Sequence, residues 1–152
     1  MSHLSDEKVA KIVSHVTETM VGLTFKVATG PAFQPSLCSR TALLPIGKGE
    51  LVVGLSSDDR GCAVLGAALF SCALSSVDRS MMNDSLSELV NMAAGQIKVA
   101  LRVDQALGLP NIVEHDGPTA YGGNLRIVHL SAKPGVDLLV WIIEAAQKRA
   151  AS

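Results

Sequence analysis

Hydrophobic residues in the middle of the chain recur every three or four positions, which predicts a long amphipathic helix. We expect this helix to begin between Asp78 and Asp84. It should run to about Leu107, because Gly108 and then Pro110 are typical of a helix end. Its buried stripe is predicted to consist of Leu86, Leu89, Val90, Ala93, Ile97, Ala100 and Leu101.

The opposite side of this helix carries a row of mostly polar residues, which we call the polar ridge. Because they step by three or four positions, its members share one helical face. Two carboxylates and an amide in line on an otherwise apolar helix make the ridge the candidate functional site. The polar ridge consists of Asp84, Glu88, Asn91, Gly95, Lys98 and Arg102.

The same reasoning predicts two further helices and several strands. One helix should run from Ser5, a capping residue followed by acidic residues, to Gly22. Another, rich in small residues, should begin at Ser57 or Asp58 and end near Leu74. Alternating patterns beside glycine-containing turns predict strands, several of them paired in hairpins. The predicted strands are 23–27, 40–46, 51–55, 111–114, 125–130 and 137–143.

The order of these elements repeats along the chain. Helix, strand, loop, strand, strand and helix are followed by helix, strand, loop, strand and strand. This order indicates a tandem duplication, with pseudo-repeats at about 4–75 and 78–146. We therefore predict a single α+β domain over residues 1–152, in which two long helices pack on a mixed, mostly antiparallel sheet.

The two long helices differ where the candidate site lies. They align without a gap over eight residues that start at His15 in the first copy and Glu88 in the second. Where the second copy has Glu88 and Asn91, the first has His15 and Glu18. The polar pair is therefore expected once, on the second copy.

Composition points to an aliphatic core and to a surface with few charges. Of the 152 residues, 48% are hydrophobic, 3% aromatic and 18% charged. We expect a second subunit or a partner to cover part of the apolar surface. The net charge of −1 lacks the basic footprint of nucleic-acid-binding proteins, so no nucleic-acid partner is expected.

The sequence shows neither the residue spacing of a metal site nor an apolar segment long enough to span a membrane. Cysteines and histidines are scattered without metal-ligand spacing, so we predict no metal site and no cofactor held by this chain. The longest apolar run, 62–74, is interrupted by Gly66 and Ser71 and is too short to cross a bilayer. The N-terminus carries Asp6 and Glu7 and has no apolar core, so we do not predict a signal peptide there. A cytoplasmic protein with no membrane partner is expected.

The spacing Asp84-x-x-x-Glu88-x-x-Asn91 resembles the signature of the chemotaxis phosphatase family, the CheC, CheX and FliY proteins. In that family an acidic residue or serine, a glutamate and an asparagine lie along an exposed helix, and a proline follows. Pro110 follows Asn91 here at a shorter interval than in the long form of the signature. One Glu–Asn pair in the second half is similar to the CheX branch, since CheC carries two.

The resemblance implies a CheC-like fold and a phosphatase that acts on the phospho-aspartate of a CheY-type response regulator. The regulator would supply Mg²⁺. Asn91 would hold the attacking water in line with phosphorus, and Glu88 would pair with the regulator's active-site lysine. Asp84, Gly95 and Lys98 would contact this partner. The resemblance also suggests a homodimer whose sheets join edge to edge.

Less specific interpretations remain open at this point. Ser85 and Glu88 match a capping box, which would give Glu88 a structural role at a helix start. An exposed row of charged and amide residues is also typical of a solvated helix face. Alternatively, the protein is a non-catalytic module that binds a response regulator or another signalling protein. It can also be a structural dimer component whose ridge is buried against another subunit.

Overall fold

The computed structural model describes residues 4–30, 34–114, 124–133 and 135–144. Three α-helices and six strands lie within these ranges, together with short 3-10 turns at Pro35–Cys38 and Leu74–Ser76. The helices are α1 (Asp6–Val21), α2 (Asp59–Phe70) and α3 (Arg79–Ala100). The strands are β1 (Lys26–Val27), β2 (Arg40–Ile46), β3 (Leu51–Ser57), β4 (Asn111–Glu114), β5 (Asn124–Ala132) and β6 (Val136–Glu144).

Helix starts follow the capping residues in the sequence. The Ser5 side chain accepts a hydrogen bond from the Lys8 amide at 3.1 Å, and α1 ends at Gly22 with φ of 71°, so both predicted ends of α1 are confirmed. Asp58 caps α2, and Asp78 caps α3 by accepting from a backbone amide one turn further on.

Two helices are shorter than the sequence predicts. α2 ends at Phe70 rather than near Leu74, and α3 ends at Ala100 rather than near Leu107. At the end of α3, Arg102 takes a left-handed conformation with φ of 57°. The Arg102 amide donates to the Val99 carbonyl at 3.1 Å, and the next amide, of Val103, donates to the Lys98 carbonyl at 2.9 Å. These are the bonds of a Schellman motif, which here closes the helix without glycine. Arg102 therefore lies beyond the helix and leaves the polar ridge.

The six described strands form one sheet in the order β1-β5-β6-β3-β2-β4, and every neighbouring pair is antiparallel. The order is symmetric about the central pair β6 and β3. The first strand of each copy pairs with the second strand of the other copy. This is the arrangement expected of a duplicated α+β fold, and it confirms the predicted fold class. The repeat boundaries at 4–75 and 78–146 stay a prediction. β1 is shorter than the strand predicted at 23–27.

The main core lies where α1 and α3 pack on one face of the sheet. Val13 of α1, Leu89 of α3 and Val140 of β6 are fully or almost fully buried in it. Burying such a side chain is worth roughly 1.5–3 kcal/mol. A second, smaller cluster on the other face joins Leu37 to Trp141, whose indole Nε1 donates to a serine hydroxyl on β3 at 2.6 Å. The helix α3 is therefore fixed on the sheet by its apolar stripe.

In the described ranges, no helix combines the length and hydropathy needed to cross a membrane.

Candidate functional site

The N-terminal cap at Asp78 places the whole candidate triplet inside α3. Asp84 and Glu88 are exposed, and Asn91 is half-buried. Asn91 lies seven positions after Asp84, which is two helical turns, or about 10 Å along the axis. The three side chains therefore lie on one face, as the sequence predicts.

Ser85 does not act as a helix cap. It lies within the helix, it is fully buried, and its hydroxyl donates to the Met81 carbonyl at 2.7 Å. The cap is Asp78, seven residues earlier, whose carboxylate accepts from the Met81 amide at 2.8 Å. Glu88 is consequently in the middle of the helix. The capping-box interpretation of Glu88 is wrong.

The side chains of Glu88 and Asn91 have no partners among the residues that the structure describes. Within the described parts of the chain, neither side chain makes a hydrogen bond or an ion pair. A carboxylate and an amide without internal partners are available to an incoming molecule.

The ridge forms one wall of a groove of about 350 Å³. The other wall is a short segment just before β4, which folds back alongside α3. Pro110, the proline singled out in the sequence, is thereby brought beside the Glu–Asn pair. The groove is lined by Asp84, Ser87, Glu88, Asn91, Gly108, Leu109 and Pro110.

Backbone contacts with the end of β2 hold the second wall in place. The Gly108 amide donates to the Pro45 carbonyl at 2.7 Å, and the Gly47 amide donates to the Ala106 carbonyl at 2.8 Å. A Cβ on Gly108 would lie 2.9 Å from the Pro45 carbonyl oxygen, which is too close. Glycine at position 108 is therefore required by this close approach, and not by a helix end as the sequence suggests.

Lys98 also contacts this segment. Its Nζ donates to the Gln105 carbonyl, so the ammonium group ties the end of α3 to the chain that follows. Its contact with a partner stays a prediction. Gly95, by contrast, has space around it, because an added Cβ would meet only Leu107 Cδ1, at 3.8 Å. Internal packing therefore does not explain the glycine.

An ion-pair cluster around the buried Arg40, which the sequence analysis missed, joins α3 to the sheet. Arg40 is only 5% exposed, and its Nη1 donates to Asn83 Oδ1 at 2.5 Å and to Glu114 Oε1 at 2.8 Å. Glu114 also accepts from Arg79 Nε at 2.9 Å. Hydrogen bonding from Arg79, the largest influence, lowers the pKa of Glu114 from its ordinary value of 4.5. An arginine at the start of an apolar strand was the available signal.

The first copy forms a different groove. This groove has a volume of about 500 Å³ and lies between α1 and residues 24–27, a position equivalent under the duplication. It contains His15 and Glu18 where the second groove has Glu88 and Asn91. Glu18 accepts a hydrogen bond from Thr24 at 3.0 Å, so its carboxylate already has an internal partner. The groove of the first copy is thus the larger of the two, but it lacks the Glu–Asn pair.

Thiol and metal chemistry find no support in the described residues. Burial, the largest influence, raises the pKa of Cys62 to about 12, so its thiol stays protonated and unreactive at neutral pH. In the ranges that the structure covers, no three His, Cys, Asp or Glu side chains are grouped to hold a metal ion.

Several solved structures that share this fold are chemotaxis proteins. A chain of the CheX–CheY–BeF3–Mg²⁺ complex from Borrelia burgdorferi matches with a TM-score of 0.72 and 14% identity, over 95% of this chain and 100% of that one. CheX from Vibrio vulnificus matches with a TM-score of 0.69 and 17% identity, over 89% and 92%. A CheC-like superfamily protein from Shewanella sp. PV-4 matches with a TM-score of 0.66 and 16% identity, over 90% and 95%.

No protein-family model and no curated protein sequence matches the chain. The structural matches nevertheless cover nearly all of it, and they confirm the fold resemblance to CheX and CheC-like proteins that the sequence predicts. At 14–17% identity they establish the fold, and the function has to be argued from the groove itself.

Proposed function

We propose that this protein is a phosphatase that removes the phosphoryl group from the aspartate of a CheY-type response regulator. The observation that carries the proposal is the pairing of Glu88 and Asn91, one turn apart on α3, on a groove wall and without internal partners among the described residues. The known complex of a CheX with CheY supports a CheY-like partner. The helix would insert both side chains into the regulator's active site.

Asn91 is suited to position a water molecule. Its amide can donate and accept a hydrogen bond, so it can hold the water in line with phosphorus. The water oxygen then bonds to phosphorus while the bond from phosphorus to the aspartate oxygen breaks. The water proton leaves with inorganic phosphate. A loose transition state needs orientation more than a base, and an amide is not a base near neutral pH.

Glu88 is suited to docking. Its carboxylate would form a charge-assisted hydrogen bond with the regulator's active-site lysine, which fixes the helix against the partner. Asp84 would lie near the rim of the same contact. Mg²⁺ would belong to the regulator, which agrees with the predicted lack of a cofactor on this chain. The same proposal implies a cytoplasmic protein, and the homodimer stays a prediction.

The decisive experiment follows the decay of a phosphorylated CheY-like receiver domain from the same source as this protein. Asn91→Ala should slow dephosphorylation about 100-fold, because a water that is not held in line reacts far more slowly. Asn111→Ala, at an exposed asparagine that does not line the groove, is the matched control and should be neutral.

Binding is measured separately with the receiver carrying beryllofluoride and Mg²⁺, in which beryllofluoride mimics the phosphoryl group. Glu88→Ala should weaken this binding roughly 10- to 100-fold, the loss expected for one charge-assisted hydrogen bond. Asn91→Ala should bind almost as well as the wild type. Binding by the wild type without any acceleration of decay would contradict the phosphatase and support a non-catalytic binding module.

A further inference from the structure

The apolar side chain of Leu109 is exposed to solvent in the same groove as Glu88 and Asn91. It is 84% exposed, the highest value for any large hydrophobic residue in the described ranges. It lines the groove between Gly108 and Pro110, on the wall that faces the ridge. The folded chain gains nothing from a leucine in this position, so its packing does not explain the residue.

The backbone around Leu109 is held on both sides. Before it, the Gly108 amide donates to the Pro45 carbonyl at 2.7 Å. After it, Pro110 has a fixed φ, and Asn111 begins strand β4, where it pairs with Leu43 of β2. Because its backbone is already held, Leu109 loses mainly side-chain rotamer freedom when it binds. It is therefore preorganised as an anchor.

A second exposed apolar strip lies on the other side of the ridge. Met92 and Val99 are 40% and 71% exposed, respectively. Successive helical residues are rotated by about 100°, which puts these two on the flank of α3 opposite to Ser87 and hence away from the groove. The Glu–Asn pair is thus flanked by apolar side chains on both sides. Apolar contacts around a polar centre exclude water and are typical of binding interfaces.

The charge of the groove indicates which partner fits. Asp84 and Glu88 place two carboxylates on its ridge wall, and none of the described residues that line it is cationic. Cationic groups set between apolar surfaces would complement such a groove. In the proposed complex, the lysine beside the receiver's phosphorylated aspartate would supply one such group.

We infer that Leu109 is the docking anchor of the groove, inserted into an apolar depression of the receiver domain beside its phosphorylation site. This inference rests on the proposed function. In it, Glu88 and Asn91 carry out recognition and chemistry at the phosphoryl group, and Leu109 supplies affinity. Leu109 acts on binding and does not touch the reacting atoms.

The test compares Leu109→Ser with Leu74→Ser. Leu74 is 52% exposed and does not line the groove, so it is a matched control. Leu109→Ser should weaken binding of the beryllofluoride–Mg²⁺ receiver roughly 10- to 100-fold, the affinity expected from burying one leucine. Its dephosphorylation rate at saturating receiver should stay within about 3-fold of the wild type, and KM should rise instead.

Leu109→Met should restore most of the affinity, because it keeps the apolar volume. Leu74→Ser should bind as the wild type does. Thermal unfolding of each variant and its mass in solution are measured alongside. Equal affinity of Leu109→Ser and wild type would overturn the inference and leave the phosphatase intact. A change in oligomeric state in Leu109→Ser would overturn it in favour of a contact between subunits.

The two proposals fail in different ways. If the wild type binds the receiver without hydrolysis, the phosphatase fails, and a specific loss of affinity in Leu109→Ser still supports the anchor. If the wild type hydrolyses the phospho-aspartate and Leu109→Ser lowers the saturated rate instead of the affinity, the anchor fails. If the wild type does not bind the receiver at all, both fail.

Discussion

Arg40 and Glu114 form an ion pair of 2.8 Å between the neighbouring strands β2 and β4, and both side chains also reach α3. Arg40 donates to Asn83, the residue before the first acid of the ridge, and Glu114 accepts from Arg79 in the first turn of the helix. The cluster thus connects α3, which bears one groove wall, to β4, which continues from the other.

Replacing Arg40 should destabilise the fold. Arg40→Met keeps the apolar stem but removes two hydrogen bonds to polar groups, one of them charged, so we expect a loss of about 2 kcal/mol in the free energy of unfolding. Arg79→Met is the control, because its side chain is largely exposed and its pairing should contribute no more than about 1 kcal/mol. Urea unfolding measures both. Equal losses in the two variants would refute the importance of the buried arginine.

Because of Glu114, the free energy of unfolding should depend on pH in the acidic range. Its pKa is lowered in the folded protein, first by the hydrogen bonds from Arg79, so its contribution is complete above the ordinary value of 4.5 and is lost as the pH falls through the folded pKa. Glu114→Gln should therefore be less stable than the wild type at neutral pH. The difference should shrink below about pH 4. A difference in unfolding free energy that stays constant down to about pH 3 would contradict this.

Glycine at position 95 should lower the stability of α3 and leave room for a receiver domain to pack closely. Gly95→Ala should stabilise α3 by up to about 1 kcal/mol, because alanine is the better helix former. The added methyl group has space, since only Leu107 Cδ1 lies near it, at 3.8 Å. If a receiver packs closely there, the same variant should bind it more weakly. Gly66→Ala is the contrast: its Cβ would lie 2.9 Å from Val77 Cγ1, so it should destabilise. Unchanged receiver affinity in Gly95→Ala would exclude this close approach.

Asp78, and not Ser85, should carry the capping energy of α3. Asp78→Ala should cost about 1 kcal/mol, the usual value of an N-cap. Ser85→Ala should stay within about 0.5 kcal/mol, because the Met81 carbonyl that accepts from its hydroxyl keeps its helical hydrogen bond. Chemical unfolding, monitored by helical circular dichroism, separates the two variants. A larger effect at Ser85 than at Asp78 would contradict this assignment of the capping energy to Asp78.

Local patterns predicted the helices and the ridge, because helical spacing and caps depend on residues that are close in sequence. The predicted end of α3 near Leu107 was wrong, because Arg102 takes a left-handed conformation that glycine normally adopts. The groove itself was beyond sequence reasoning. Its second wall is held by the hydrogen bond from Gly108 to Pro45, and α3 is held to the sheet by the ion pair of Arg40 and Glu114. Both contacts join segments that are far apart in the chain.

The symmetric strand order has a consequence for how the molecule acquires its groove. In the described sheet, β1 of the first copy pairs with β5 of the second, and β4 of the second pairs with β2 of the first, so each copy completes the sheet of the other. Such long-range pairings give a high contact order and slow folding. During synthesis the helix α3 is complete long before β6, yet its polar pair gains a facing wall only when both halves have joined.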